Sequence, residues 1–279
     1  MLFGDCVLMS QSMNSSLLDY RSRFMTFMQN ILRNLRQLSR SHPLHISELL
    51  VQVEEATTPP QLTKAVNRLQ SQLWELPMKE QAPLRGILVK ALSMRVLNAF
   101  QTSLRLEAAG WLRLFVQAGL VTQPQDVFVT LVTATVRHAA IDKTINLNEQ
   151  RAYLKMIFDC FWPFRHPYAA YTWQVFPANE VFYPLVPLLD SADATTQDAL
   201  MGIFAELPTL DDAEIVEHLL PIALTWSTHC DPERRRRVTN VLARISHVST
   251  QEALRRLQSD PDPIVRASAK RAASYIRPA

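Results

Sequence analysis

Apolar residues recur along most of the chain at alternating spacings of three and four, the period of a helix with one buried face. The clearest early example is the segment 15–38, where Phe24, Met28, Ile31 and Leu35 form one stripe. No segment of any length alternates apolar and polar residues as a half-buried strand would. The pattern therefore predicts an all-α protein. Further helices are expected over residues 46–56, 61–75, 80–118, 124–140 and 148–161, with a break in the third near Thr102 or Gly110.

The stripe on residues 15–38 has two interpretations. It covers only about three heptads, the lower limit for a coiled coil. Packing onto the rest of the same chain is therefore favoured, and a homo-oligomer formed through this helix is the alternative.

An internal repeat is present near the C-terminus, anchored on Asp193, Asp231 and Asp262, each in a short polar turn. Apolar or small residues stand seven, ten and fourteen positions after each anchor, and also eight and five positions before it. Each copy therefore predicts a helix, a turn that contains the aspartate, and a second helix with one buried face. The residues after the three anchors are Leu200, Ile203, Leu207, Val238, Val241, Ile245, Ala269, Ala272 and Ile276.

The third copy, LRRLQSDPDPIVRASAKRA over residues 254–272, resembles the HEAT/armadillo-type helical repeat family. Its turn contains two Asp-Pro pairs and is followed by Val265, Arg266 and small residues at helical spacing. The resemblance covers about residues 184–277 and implies an α–α superhelix, a solenoid of stacked hairpins. It also implies that Arg266 and the turn aspartates form a ladder between neighbouring repeats. Gln197 replaces the arginine in the first copy.

These patterns divide the chain into three parts. Residues 1–157 are predicted to form a less regular N-terminal helical region, for which degenerate repeats are the alternative. Residues 158–183 form an aromatic-rich junction, and residues 184–279 form the HEAT-like repeats. Five glycines are few for 279 residues, which argues against phosphate-binding loops. Three distant cysteines are typical of a reduced, cytoplasmic protein, and no apolar run reaches the roughly 18–20 residues of a membrane span.

Charge is unevenly distributed. The whole chain has a net charge of +3, whereas residues 230–279 contain eleven basic and five acidic side chains. This end is a candidate docking surface for an acidic protein, and two alternatives are nucleic acid and a solvated cap on a terminal repeat. The candidate residues are Arg234, Arg236, Arg237, Arg255, Arg256, Lys270 and Arg271.

Aromatic residues are concentrated in the junction, where ten of the chain's 23 lie within residues 158–183. Prolines interrupt this segment, so it cannot be one helix. A core at the junction is the favoured interpretation, and a binding groove for a partner or small ligand is the alternative. The groove would be lined by Trp162, Tyr168, Tyr171 and Trp173.

No catalytic pattern is convincing. His229, Cys230 and Asp231 are adjacent, but consecutive residues on a turn point in different directions, and Asp231 already has a repeat role. We therefore expect no cofactor, no metal and no enzyme activity. The predicted function is that of an adaptor, scaffold or subunit that binds a protein partner. The alternative is a nucleic-acid-binding HEAT-like protein, including an enzyme of the DNA-glycosylase kind.

Overall fold

The chain divides into two compact units, Met1–Gln52 and Val53–Ala279. The computed structural model describes residues 45–141, 147–164, 181–191, 193–208, 210 and 213–274, and the predicted helix at 15–38 lies outside these ranges. Helix α1 (His45–Glu55) runs across the boundary between the units.

All regular elements in the described residues of the second unit are helices, and these residues contain no strand. The predicted break in the third segment falls beside Thr102, where Ala99 and Gln101 adopt extended backbone angles, and Gly110 lies inside a helix. The helices are α2 (Pro59–Trp74), α3 (Met78–Asn98), α4 (Thr102–Gln117), α5 (Pro124–Ile141), α6 (Leu147–Cys160), α7 (Leu188–Ser191), α8 (Ala194–Phe204), α9 (Ala213–Trp226), α10 (Pro232–Leu242), α11 (Val248–Leu257) and α12 (Pro263–Ala273), with 3₁₀ turns at Trp162–Phe164 and Tyr183–Leu185.

Within this unit the helices form two rows. In row B, α2 packs on α4, α4 on α6, α6 on α8, α8 on α10 and α10 on α12. In row A, α3 packs on α5, α5 on the Tyr183–Leu185 turn, α7 on α9 and α9 on α11. Each row A helix also packs on the row B helix that follows it in the chain. The result is a stack of helical hairpins, which confirms the prediction of an all-α, HEAT-like solenoid fold.

The three anchor aspartates are helix N-caps, as the repeat predicts. Asp262 accepts hydrogen bonds from the backbone N–H groups of Ile264 and Val265 at 2.8 and 3.0 Å, and Asp193 and Asp231 cap α8 and α10 in the same way. The cap satisfies N–H groups that the first helical turn leaves without partners. Proline follows the cap in α10 and α12, where its fixed φ suits the first turn.

The predicted buried positions are buried. Eight of the nine residues after the anchors lie in the core, and Ile276 lies outside the described residues. These side chains are the contacts that hold each hairpin to its neighbours. The domain boundaries at residues 157 and 183 stay predictions. No helix in the described ranges is both long and apolar enough to cross a bilayer.

Candidate interaction surface

Polar contacts join every pair of neighbouring helices in row B. The hydroxyl of Thr63 donates to Glu107 between α2 and α4, and ion pairs make the remaining connections. In two of the ion pairs the acidic residue lies at the start of a helix: Asp193 is the N-cap of α8, and Asp260 lies two residues before the N-cap of α12. The pairs are Arg105–Glu149 at 2.7 Å, Arg151–Asp193 at 2.9 Å, Arg234–Asp198 at 3.3 Å and Arg235–Asp260 at 2.7 Å.

The ladder implied by the family resemblance is present at Arg235. Its Nε and Nη2 donate to the two carboxylate oxygens of Asp260 in the next turn, at 2.7 and 2.9 Å. The hydrogen bond from Arg235 holds the pKa of Asp260 below its usual value. Arg266 differs from the expectation, because its described hydrogen bonds go to backbone carbonyls of its own turn.

A second role of these arginines was not predicted from the sequence. In three row B helices an arginine donates from Nη1 to the carbonyl oxygens six and five residues before it, which fastens the turn onto the helix. Gln197 substitutes in the first copy by donating to the carbonyl of Leu189 at 3.0 Å. The sequence signal for this role is an arginine four residues after the helix N-cap. The three arginines are Arg105, Arg235 and Arg266.

The run of four arginines at 234–237 is largely neutralised within the protein. Arg234 pairs with Asp198 and also lies 4.9 Å from the centre of the Trp226 ring. Arg236 and Arg237 share one carboxylate, that of Glu233, at 2.6 and 3.0 Å. The hydrogen bond from Arg236 is the main cause that lowers the pKa of Glu233 to about 2.

The other four predicted basic residues are exposed. Arg256 donates to the hydroxyl of Ser227 at 2.9 Å. Arg255, Lys270 and Arg271 have no ion-pair partner among the described residues. These three are therefore the side chains of the predicted surface that are most available to a partner.

The structure divides the predicted basic surface between the two rows, with Arg234, Arg236 and Arg237 on α10 in row B. Arg255 and Arg256 lie on α11 in row A, and Lys270 and Arg271 lie on α12 in row B. The buried residues of each helix, such as Leu254 and Ala269, face the partner helix and the preceding hairpin. The two groups of exposed cations therefore belong to different rows of the stack.

The aromatic junction contains both buried and exposed rings in its described part. Phe161, Phe164 and Phe182 surround Phe128 of α5, with ring centroids 5.1 to 5.9 Å from its own. Trp162 has 55% of its surface exposed. The cluster of rings around Phe128 agrees with a junction core, whereas the exposure of Trp162 keeps the groove alternative open. Tyr168, Tyr171 and Trp173 lie outside the described residues.

The turn at 229–231 lacks the geometry of a nucleophile and its base. The Sγ of Cys230 lies 3.8 Å from Nδ1 of His229, and that nitrogen already accepts the backbone N–H of Asp231 at 3.0 Å. The Asp231 carboxylate accepts the N–H of Glu233 as a helix cap. The described residues contain no group of His, Cys, Asp and Glu side chains arranged to hold a metal ion.

The sequence matches no protein-family model and no curated protein. Its fold is similar to those of solved structures. A chain from a crystal structure described as an engineered protein has a TM-score of 0.51 at 18% identity, over 83% of this chain and 96% of that one. A second engineered protein has a TM-score of 0.47 at 16% identity, over 83% and 98%.

A third similar chain comes from a structural study of microtubule plus-end tracking by XMAP215, CLIP-170 and EB1. Its TM-score is 0.40 at 14% identity, over 86% of this chain and 93% of that one. The first similarity, to the engineered protein, concerns the fold and not a function.

Proposed function

We propose that this protein is a non-enzymatic adaptor or subunit that binds an acidic protein partner through its C-terminal basic end. A helical-repeat fold with an open stack of hairpins supports a binding role. The observation that carries the proposal is that Lys270 and Arg271 are exposed on α12 without an ion-pair partner in the described part of the chain. The sparse cysteines support a cytoplasmic location.

The α10–α12 part of the surface is the better candidate for docking. Arg236 and Arg237 share a single carboxylate, so this pair retains one unit of positive charge, and Lys270 and Arg271 add two more. On α11, the charge of Arg255 and Arg256 is offset in part by the exposed Glu252 on the same helix. Charge-assisted contacts to an acidic partner would therefore be strongest on row B.

The test is capture of partners from the native source, with and without nuclease, by the wild-type protein and by K270E/R271E. We expect the variant to retain the wild-type helical signal and melting temperature, because both side chains are exposed. Capture should weaken at least tenfold, equivalent to about 1.4 kcal/mol. It should also weaken with salt, since the Debye length is only about 8 Å near 0.15 M.

The matched control is K79E/K90E, which makes the same change in charge at two exposed positions of α3 in row A, outside the C-terminal basic end. Capture by the control should remain near that of the wild type. Capture of K270E/R271E at wild-type strength would show that the basic end is a solvated cap. Loss of capture after nuclease treatment, with a linear log–log dependence on salt, would favour the nucleic-acid alternative.

A further inference from the structure

Positive charge is segregated between the two rows of helices. The row B helices α2, α4, α6, α8, α10 and α12 contain thirteen Lys and Arg and five Asp and Glu, and the turns before α8, α10 and α12 add Asp193, Asp231, Asp260 and Asp262. The row A helices α3, α5, α7, α9 and α11 contain seven Lys and Arg and six Asp and Glu. This difference does not appear as a run of basic residues in the sequence, because helices of the two rows alternate along the chain. The basic character therefore extends beyond the C-terminal end.

The excess charge is exposed at both ends of row B. On α2, Lys64 and Arg68 lie one helical turn apart and are exposed, with no ion-pair partner in the described ranges. Lys270 and Arg271 are the corresponding pair on α12. Between these ends, Lys155 of α6 is 74% exposed and shares the carboxylate of Asp159 with Arg113 of α4, so this group of three residues carries one further unit of positive charge.

The α2 end also has a groove. An open depression of about 610 Å³ lies between α2 and α4. Its lining includes Lys64, Asn67 and Arg68 of α2 and also Glu107 of α4, whose carboxylate accepts hydrogen bonds from Thr63 and Trp111. Neighbouring packed helices are usually 8–10 Å apart, so the six helices of row B extend over roughly 40–50 Å. An extended chain of about 15 residues has this length.

Apolar side chains lie between the cations on the same row. Leu114 of α4, Phe158 of α6 and Ile264 of α12 are 43%, 36% and 63% exposed. A phosphate backbone would use the cations and leave these side chains uncovered, whereas an acidic peptide with apolar residues would contact both. The mixture of charges and apolar side chains therefore favours a polypeptide over nucleic acid.

We propose that row B as a whole is the docking surface, and that its ligand is an extended acidic polypeptide segment that also carries apolar side chains. This inference rests on the proposed function and adds the α2 end to it. The segment spans from Lys64 and Arg68 to Lys270 and Arg271, and its apolar side chains contact the exposed apolar residues of row B.

The test measures fluorescence anisotropy at low salt with a labelled peptide of about 15 residues, in which pairs of glutamates alternate with single leucines. The proteins are the wild type, K64E/R68E, K270E/R271E and the row A control K79E/K90E. We expect each row B variant to weaken binding at least threefold, and the control to bind as the wild type does. A peptide of about six residues should be less sensitive to either row B variant than the long peptide, because it reaches across two or three helices only.

The outcomes separate this inference from the proposed function. Wild-type binding by K64E/R68E, with weak binding by K270E/R271E, would overturn the row B inference and leave the proposed function standing. Wild-type binding by both variants would overturn both. Equal weakening in the row A control would show a general charge effect, which also overturns the inference. A labelled 15-nucleotide single strand that binds more tightly than the peptide would overturn the choice of a polypeptide. Circular dichroism and melting temperature confirm that each variant is folded.

Discussion

The Arg105–Glu149 ion pair between α4 and α6 offers the sharpest test of how row B is held together. The Glu149 side chain is only 2% exposed and accepts hydrogen bonds from Nε and Nη2 of Arg105 at 2.7 and 2.8 Å. Tyr153 and Thr102 donate to it as well, at 2.9 and 3.0 Å. Burial raises the pKa of Glu149, but the hydrogen bonds from Arg105, Tyr153 and Thr102 outweigh burial and lower it. The carboxylate is therefore charged at neutral pH and stabilised by all three partners.

The substitution Glu149→Gln keeps the shape of the side chain and removes its charge. Removing one member of a buried ion pair usually costs 3–5 kcal/mol, because the other charge stays buried. Arg105 keeps its hydrogen bonds to the carbonyls of Ala99 and Phe100. Because these bonds remain, we expect E149Q to lower the unfolding free energy by about 3 kcal/mol, the lower end of that range.

The assay is urea unfolding followed by circular dichroism, with Asp159→Asn as the matched control on the same helix. Asp159 pairs with Arg113 and with the 74% exposed Lys155, so its loss should cost less than about 1 kcal/mol. The double variant R105M/E149Q should lose less than the sum of the two single variants, by roughly 2 kcal/mol. A loss for E149Q no larger than that for the control, or additive effects in the double variant, would refute the assignment of a buried ion pair.

Three further predictions address the core, the caps and the response to pH. Ile245→Ala should lower the unfolding free energy by roughly 2–5 kcal/mol, since its side chain is buried; a loss below 1 kcal/mol in urea unfolding would contradict this. Asp262→Ala should cost about 1 kcal/mol, and Asp262→Asn much less, because asparagine also caps; equal losses would argue against the cap. The hydrogen bond from the Thr196 hydroxyl is the main cause that lowers the pKa of Asp193 to about 2, and the hydrogen bond from Arg236 is the main cause that lowers the pKa of Glu233 to about 2. The stability that these two carboxylates contribute is therefore present above pH 5 and is lost as the pH falls toward 2. The melting temperature should therefore fall between pH 6 and pH 3, and a constant or rising value would contradict the ion pairs.

Local features of the sequence were enough to predict the helices and the repeat. Capping by Asp193, Asp231 and Asp262 depends on residues two or three positions away, so the anchors could be recognised without knowing the fold. Burial after each anchor follows from helical periodicity, which places one stripe of each helix against its neighbours. The break beside Thr102 was one of two predicted positions, and Gly110 was the wrong one, because a single glycine is tolerated inside a helix.

The candidate surface depended on contacts between residues distant in the sequence. Arg234 was predicted to be available, but it pairs with Asp198, which lies 36 positions before it in the chain. Its neighbour Arg235 pairs with Asp260, 25 positions after it. The sequence shows that these residues are charged, but only the packing of α8, α10 and α12 brings the opposite charges together. In the same way, the alternation of rows places Lys64 on the same side of the stack as Lys270, although about two hundred residues separate them. Helix formation is governed by near neighbours in the chain, whereas the distribution of free charge is governed by which helices stack, and this is decided by the tertiary structure.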